Sequence, residues 1–361
     1  HRAHEEFFTN HLLKDTDQEE WGIHGAMLLP SDERLYRALK KQEGEYTLTV
    51  CGRDGKDEVY RIGSLIKLDW AMENPEAILS AIADKHIRII TLTVTFPNSM
   101  VDRITPATRP EDIERLSHKN GTTDEAPVYC EDFIQWVIED NFIAGRPAWE
   151  RVGAEFTNDV TAYENMKLSL LNASHTLLSY PSFLSGYRKV DDAMHDDRIV
   201  RFVRTFMDKD ITPYVPAPGN TDLELYKQTL VERFGNRSVS DQIARLCFDG
   251  ISKFPVYVMP NLIKMIADGA DLTRMAYLIA AYRHYLKYTT DDNGQTFDIA
   301  EPWLTETDKT LIASNNAEDF LALSAFQSTD LKKADSFVQL YLNMVEAIRQ
   351  HGAMAVLESI I

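Results

Sequence analysis

The sequence predicts an α/β domain followed by an all-helical domain. Over the first hundred residues, strand-like and helix-like patterns alternate, which is typical of a parallel sheet covered by helices. From residue 159 onward one apolar helical period follows another, with turn signals such as Pro216-Ala-Pro-Gly219 between them. We therefore expect two domains, residues 1–158 and 159–361.

The N-terminal elements follow from local composition. Asn74 before Pro75 is typical of an N-cap and first helical residue, so a helix is predicted over residues 75–83. The β-branched run 87–95 is the clearest strand, yet it leads directly into Phe96-Pro97. A crossover between parallel strands needs a dozen or more residues, and none are present there. Strands are predicted at residues 21–29, 46–50 and 87–95.

The C-terminal elements are predicted from helical periodicity alone. No apolar run approaches the roughly 18 residues that a membrane helix needs. The segments show apolar positions three and four residues apart, as expected for helices that pack on one another. Helices are predicted over residues 164–180, 197–209, 222–234, 239–248, 261–268, 273–288 and 331–350.

Composition narrows the possible functions. The net charge of −18 argues against a nucleic-acid partner, which would need a basic surface. The three cysteines, Cys51, Cys130 and Cys247, are far apart in sequence, which fits a reducing compartment. The first residues do not form a signal peptide, so a cytoplasmic location is expected. No HExxH or comparable spacing supports a catalytic zinc, and no metal site is predicted.

One segment concentrates chemistry in an apolar setting. It is Met166-Lys167-Leu-Ser-Leu-Leu-Asn172-Ala-Ser-His175. In an α-helix, Asn172 lies about 140° and His175 about 80° around the axis from Lys167, so all three fit on one side. A lysine buried among leucines can lose its proton near neutral pH and serve as a general base. The alternative is an amine that points to water beside two ordinary polar side chains.

Several motifs together resemble a known family. The chain is similar to the long-chain, zinc-independent polyol dehydrogenases, the mannitol dehydrogenase family that includes fructuronate reductase. The similarity covers nearly the whole chain, and its most specific parts are the Lys-x4-Asn-x2-His helix and the run MVDRITP. The matching runs begin at His1 (HRAH), Phe96 (FPNSMVDRITP), Gln135 (QWVIED), Gly145 (GRPAW), Met166 (MKLSLLNASH), Ser185 (SGYR) and Asp249 (DGISK).

The resemblance implies a Rossmann-like cofactor domain followed by a helical substrate domain. Two family segments have no counterpart in this sequence. One is a Gly-rich loop just before HRAH, which holds the cofactor pyrophosphate. The other lies between the strand that ends at Thr95 and the run that starts at Phe96, and it includes an asparagine that polarises the reacting oxygen.

The resemblance also assigns roles to residues. Lys167 would be the general base, Asn172 would stabilise the developing alkoxide, and His175 would orient substrate hydroxyls. Asp102 would tune the proton of the lysine amine, although Asp102 and Arg103 also suit a structural ion pair. Arg245 and Lys253 match positions that hydrogen-bond distal substrate hydroxyls, and solvated helix residues are the alternative.

On the cofactor side the pattern departs from the family. Arg2 and His4 fall at the helix that follows the Gly-rich loop, near the expected pyrophosphate. An acidic residue that would bind the ribose is expected after the strand at 46–50, but Val50-Cys51-Gly52-Arg53 stands there. NAD is the expected cofactor, and NADP stays open because Arg53 suits a 2′-phosphate.

The implied function is the oxidation of a hexitol to a ketose, with D-mannitol and D-fructose as the first choice. Fructuronate reduction is the alternative within the family, and a non-catalytic sugar-binding relative is the remote one. The expected partner is a small polyol or ketose, without nucleic acid or membrane. The protein is expected to be a monomer or weak dimer.

Overall fold

The computed structural model describes residues 5–13, 21–53, 55–84, 86–87, 97–106, 108–142 and 145–361. These residues form two compact units, His1–Tyr163 and Glu164–Ile361. Residues 88–95 of the predicted strand lie outside the described residues. The predicted cofactor contacts Arg2 and His4 also lie outside them.

The first unit alternates helices and strands, as the sequence predicts. The helix predicted over 75–83 forms at Pro75–Ile82, and Asn74 caps it by accepting a hydrogen bond from the Ala77 backbone N–H at 3.1 Å. The elements are α1 (Glu5–Leu13), β1 (Ile23–Met27), α2 (Glu33–Lys41), β2 (Tyr46–Cys51), β3 (Asp57–Ile62), β4 (Leu65–Trp70), α3 (Pro75–Ile82), β5 (Ser99–Asp102), α4 (Pro110–Asn120), β6 (Val128–Glu131), β7 (Gln135–Glu139), β8 (Glu155–Thr157) and α5 (Val160–Met166), the last of which crosses into the second unit.

The strands of the first unit pair in both directions. Among the described residues, β1 pairs with β4, β2 with β6, and β7 with β8 in parallel. By contrast, β2 with β3 and β5 with β7 are antiparallel.

Apolar clusters between the helices and strands hold this unit together, and the two larger ones lie on α2 and α1. One packs the buried face of α2 on the central strand β2, with Leu39, Leu48 and Ile62 fully covered. The other lies between α1 and β7, where Phe8 contacts Trp136 at a ring-centroid distance of 5.4 Å. Burying side chains of this size contributes about 1.5–3 kcal/mol each, so the sheet edges are anchored by helix packing.

The second unit is helical throughout its described elements. The predicted helix at 273–288 forms with those bounds, whereas those at 164–180 and 197–209 are interrupted by π-helical turns, π1 and π2. The elements are π1 (Lys167–Asn172), α6 (Ala173–Leu184), α7 (Val190–Ala193), α8 (Asp197–Thr205), π2 (Phe206–Ile211), α9 (Leu223–Phe234), α10 (Ile243–Cys247), α11 (Gly250–Tyr257), α12 (Met259–Asp268), α13 (Thr273–Tyr288), α14 (Glu306–Ala313), α15 (Asp335–His351) and α16 (Ala353–Ser359).

Two helices form the centre of this unit. Every residue of α6 is buried, and α13 is buried on nearly all sides. A helix covered all round needs apolar residues on every face, and both sequences meet that requirement. Aromatic rings join them, since Tyr180 of α6 lies 4.8 Å from Tyr282 of α13 between ring centroids. The remaining helices pack around this pair.

The histidine on α13 makes the unit sensitive to acid. Burial lowers the pKa of His284 from 6.5 to about 4, with a smaller contribution from the charge of Arg283. The folded form therefore keeps this ring neutral, while the unfolded chain takes up a proton as pH falls through 6.5. Stability contributed by the neutral ring is present above that pH and is lost progressively down to about pH 4.

We expect His284→Gln to flatten this part of the stability profile. Between pH 6.5 and about pH 4, the free energy of unfolding of the wild-type protein should fall by up to about 3 kcal/mol more than that of the variant. Urea titrations of both proteins across the window measure the difference. His351→Gln, at an exposed position in α15, is the control. Parallel curves for wild type and His284→Gln would contradict the prediction.

Candidate active site

Lys167 and Asn172 stand at the two ends of π1. The sequence predicts an uninterrupted α-helix here, in which these side chains lie about 140° apart. The structure corrects this expectation, because the i→i+5 bonding of a π-turn adds a residue to the turn and brings residues five apart toward one face. Such turns are rare and frequently occur at functional sites. The local backbone thus draws the lysine and the asparagine together.

The amide of Asn172 has an unfilled hydrogen-bonding position. Its Oδ1 is buried and has no hydrogen-bond partner among the described residues. A buried acceptor in this condition costs about 1–3 kcal/mol, so a ligand that fills the position recovers that free energy. The flanking Leu170 and Leu171 are buried, which makes the surroundings of π1 apolar.

His175 follows on α6 and is held by packing. It is 9% exposed, and its ring lies 4.2 Å from the ring of Phe234 at an angle of 31°. Burial lowers the pKa of His175 well below 6.5, and the charges of Arg245, Arg233 and Lys253 lower it further. The imidazole is therefore neutral at pH 7, with one nitrogen as donor and one as acceptor.

Arg245 and Lys253 lie close enough to His175 for their positive charges to disfavour protonation of the imidazole. Arg245 is bidentate to Asp241, with Nε 2.8 Å from Oδ1 and Nη2 on Oδ2. The Lys253 amine donates to the backbone carbonyls of Leu246 at 2.9 Å and Arg245 at 3.3 Å. Burial and the charge of Arg245 lower the pKa of Lys253. Arg245 is thus an exposed side chain held by a carboxylate, and Lys253 is a half-buried one held by two carbonyls.

Arg233 is a residue that the sequence alone did not single out. It lies in the last turn of α9, where a basic residue ordinarily meets the helix carbonyls at the surface. Here Arg233 is 2% exposed, and its positive charge helps to lower the pKa of His175. An arginine beside an aromatic residue at a helix end was the available signal, but only the packed structure shows that it is buried.

Asp102 belongs to the first unit, whereas the six site residues described above belong to the second. It ends β5 opposite Gln135 and is 1% exposed. The neighbouring Arg103 donates from Nε to the Glu131 carbonyl at 3.1 Å, and its guanidinium lies 5.0 Å from the centre of the Phe7 ring. The sequence run that contains Asp102 is therefore part of the buried strand layer.

The strand order offers a different carboxylate for the cofactor ribose from the one expected after the strand at residues 46–50. In a dinucleotide-binding unit the acidic ribose ligand follows the strand after the first helix. Among the described residues, the first strand after α1 is β1, and β2 is the second. The carboxylate at this place is Asp32, whose Oδ2 accepts the Leu29 N–H at 2.9 Å. Arg53, after β2, donates from Nε to Asp132 at 3.3 Å.

Side chains suited to a metal are not clustered in the part of the chain that is described. Within those ranges, no group of three or more His, Cys, Asp or Glu side chains is placed to hold an ion. None of the helices in the described ranges is long and apolar enough to cross a membrane.

Comparison with known proteins establishes the family. The model of the mannitol dehydrogenase C-terminal domain matches residues 159–349, more than half of the chain. The chain belongs to the mannitol dehydrogenase family. The mannitol dehydrogenase Rossmann domain matches residues 72–151. The resemblance read from the sequence and the two-part fold class are thereby confirmed, and the protein is an oxidoreductase of the polyol dehydrogenase class.

Individual relatives match over nearly the whole chain. A mannitol 2-dehydrogenase of Emericella nidulans is 34% identical, with 98% of this chain and 89% of the relative covered. A polyol:NADP oxidoreductase of Gluconobacter oxydans is 29% identical, with 98% and 92% covered. The structure of Pseudomonas fluorescens mannitol 2-dehydrogenase in ternary complex with NAD and D-mannitol superposes with a TM-score of 0.91 at 31% identity, covering 100% of this chain and 92% of that one.

The length of these alignments carries further information. The match with the Emericella protein extends over 452 positions, although this chain has 361 residues and is 98% aligned. That relative therefore contains internal segments without a counterpart here. The segment predicted to be missing at the junction of residues 95 and 96 lies outside the described residues and stays a prediction.

Proposed function

We propose that this protein interconverts a hexitol and a ketose, D-mannitol and D-fructose, with NAD as cofactor and Lys167 as general base. The observation that carries the proposal is π1, which draws Lys167 and Asn172 toward one face. The buried Oδ1 of Asn172, which has no partner among the described residues, suits a substrate hydroxyl as its donor, and the Nδ2 of the same amide is the donor that an alkoxide needs. The whole-length similarity to a mannitol 2-dehydrogenase seen with NAD and D-mannitol supports the choice of substrate. The proposal includes no metal.

The proton steps belong to residues of this chain. NAD, when bound, supplies the hydride acceptor. The neutral amine of Lys167 takes the proton of the reacting hydroxyl, and apolar neighbours favour that neutral form. The amide nitrogen of Asn172 donates to the developing alkoxide, which is where a fixed donor contributes most. Neutral His175 holds a substrate hydroxyl, since it can donate and accept at once.

Arg245, Lys253 and Asp102 complete the proposed set of functional residues. Arg245 and Lys253 lie near His175 and suit the distal hydroxyls of a polyol. We propose that Asp102 acts on the proton of the Lys167 amine, as the family resemblance implies. Fructuronate is the second candidate substrate because its carboxylate would meet a positive environment. The observation that favours it is the set of three cations that act on His175, Arg233, Arg245 and Lys253.

A substrate panel tests the proposal. Initial rates with D-mannitol, D-fructose and fructuronate, each with the NAD and NADP couples, rank the substrates by kcat/KM. The proposal expects D-mannitol with NAD to lead. Turnover of fructuronate alone would replace it with the second candidate. NADH binding, followed by fluorescence, separates an enzyme from a sugar-binding relative, because the latter would not bind the cofactor at millimolar concentration.

Asp32 should decide the choice between the two cofactors. A carboxylate accepts hydrogen bonds from ribose hydroxyls and repels a 2′-phosphate. Asp32→Ala is expected to weaken NADH binding roughly tenfold, the effect of losing one charge-assisted hydrogen bond, and to strengthen NADPH binding. Fluorescence titrations with both reduced cofactors measure the ratio. Glu76→Ala, at the exposed start of α3, is the control. If Asp32→Ala leaves the ratio of NADH to NADPH affinity unchanged, Asp32 does not select the cofactor.

The cellular setting is a further part of the proposal. Cys51, Cys130 and Cys247 are buried and form no disulfide bond, and burial raises the pKa of each thiol. Cysteines that do not form disulfide bonds fit a reducing compartment. We therefore propose a cytoplasmic protein that acts as a monomer or weak dimer.

A further inference from the structure

A single carboxylate ties the start of α11 to α13. Glu301 accepts the backbone N–H of Gly250 on Oε1 at 2.9 Å and that of Ile251 on Oε2 at 3.1 Å. Its Oε1 also accepts the Tyr282 hydroxyl at 2.9 Å. The preceding carbonyl, of Ala300, accepts the Asp249 N–H at 3.0 Å. Three successive donors at the helix start are therefore satisfied by two adjacent residues of one loop.

The start of α11 is closely packed, and Gly250 leaves no space for a side chain. A Cβ on Gly250 would lie 2.8 Å from Glu301 Oε1 and 2.9 Å from the Tyr282 ring, and closer still to the Tyr180 hydroxyl. Asp249 has a φ of 56°, in the left-handed region that non-glycine residues seldom adopt. A strained residue of this kind persists only where neighbouring contacts determine the backbone. The hydrogen bonds to Ala300 and Glu301 supply such contacts.

This helix start carries the cations of the proposed site. Lys253 lies in the first turns of α11, and its amine returns to the Leu246 and Arg245 carbonyls at the end of α10. Arg245 lies on α10. The end of α10 and the start of α11 therefore form one corner, and Glu301 holds it against the buried helix α13.

We propose that Glu301 is a positioning residue that sets the placement of Lys253 and Arg245 for substrate binding. It does so through the Asp249-Gly250-Ile251 backbone and does not itself contact the substrate. The inference rests on the proposed function, because it takes Lys253 and Arg245 to be the substrate-side cations. Losing the carboxylate should therefore affect substrate binding more than the chemical step.

The test is Glu301→Gln in the full-length protein. Gln offers one acceptor oxygen and turns an amide N–H₂ toward one of the backbone donors, so one hydrogen bond is lost. We expect KM for D-mannitol to rise roughly tenfold with kcat within about threefold of wild type. NADH binding should be unchanged. An unchanged KM, or a fall in kcat alone, would overturn the positioning role.

A matched control separates positioning from loss of stability. Asp308 is a buried carboxylate of the same unit that accepts the Ser324 N–H at 2.8 Å and the Thr305 N–H at 3.0 Å, in a corner without site residues. Asp308→Asn should lower the melting temperature but leave KM unchanged. If both variants raise KM equally, the effect is general and the proposal fails.

A double variant tests the route of the effect. If Glu301 acts through the corner that carries Lys253, combining Glu301→Gln with Lys253→Ala should raise KM by less than the product of the single effects. A fully multiplicative result would contradict this route. The single variant Lys253→Ala distinguishes the two levels of inference. If it leaves KM unchanged, the proposed substrate site is wrong, whereas a raised KM with an inert Glu301→Gln refutes only the positioning role.

Discussion

Replacing Lys167 by Ala is expected to lower kcat for D-mannitol oxidation by about two to four orders of magnitude, the usual contribution of a positioned general base. The reason is that no other amine in the described part of the chain shares the π1 backbone with Asn172. Production of NADH under saturating substrate measures the rate. KM changes less than kcat, because the lysine acts mainly on the proton of the reacting hydroxyl.

Two controls make this result interpretable. Lys264→Ala removes an exposed lysine from α12 and should turn over at the wild-type rate. Added primary amines should restore part of the activity of Lys167→Ala, with larger gains from more basic amines, because an external base can enter the space left by the side chain. A Lys167→Ala variant that works at the wild-type rate, or one whose NADH binding is lost together with its activity, would remove Lys167 from the role of base.

Replacing Asp210 by Ala should lower the free energy of unfolding by about 3–5 kcal/mol. Asp210 lies in π2 and is bidentate to Arg274 of α13, with Nε 2.5 Å from Oδ2 and Nη2 2.7 Å from Oδ1. Both residues are buried, at 2% and 5% exposure. Removing Asp210 takes away the buried bidentate partner and leaves Arg274 with Asp271, an exposed carboxylate 3.1 Å from Nη2, which accounts for the size of the effect.

Denaturant unfolding of three proteins tests this value. Lys333→Ala breaks an exposed ion pair with Asp330 and should cost less than about 1 kcal/mol. Replacing both Asp210 and Arg274 by apolar residues of similar volume should cost much less than Asp210→Ala alone, since no charge is then left buried. Equal losses in the single and the double replacement would show that the shape of the pair, and not its charge, is what matters.

Some elements were predictable because their signals are local. Asn74 and Pro75 identify the start of α3 from two adjacent residues, and the structure has the cap in place. The apolar run of α13 has the predicted bounds, Thr273–Tyr288, because a helix buried on all sides needs apolar residues throughout. The run from Lys167 to His175 pointed to chemistry from residue types and spacing alone.

Other features were not predictable from local signals. The π-turn at Lys167–Asn172 has the same residue types as an α-helix, and its extra residue depends on how neighbouring helices pack. The candidate for the acidic cofactor residue depends on strand order. Because β1 is the first described strand after α1, we propose Asp32, rather than the run after β2, as the ribose ligand.

The sequence by itself determined the two-part architecture, the family and the residue types of the catalytic segment. These depend on periodicity and on motifs whose members are close along the chain. Only the tertiary structure decided that the Asn172 acceptor is left unfilled, that Arg233 is buried, and that Glu301 holds the helix start that carries Lys253. Burial and hydrogen-bond satisfaction depend on residues distant in sequence, so folding must bring them together before the electrostatics of the site exist.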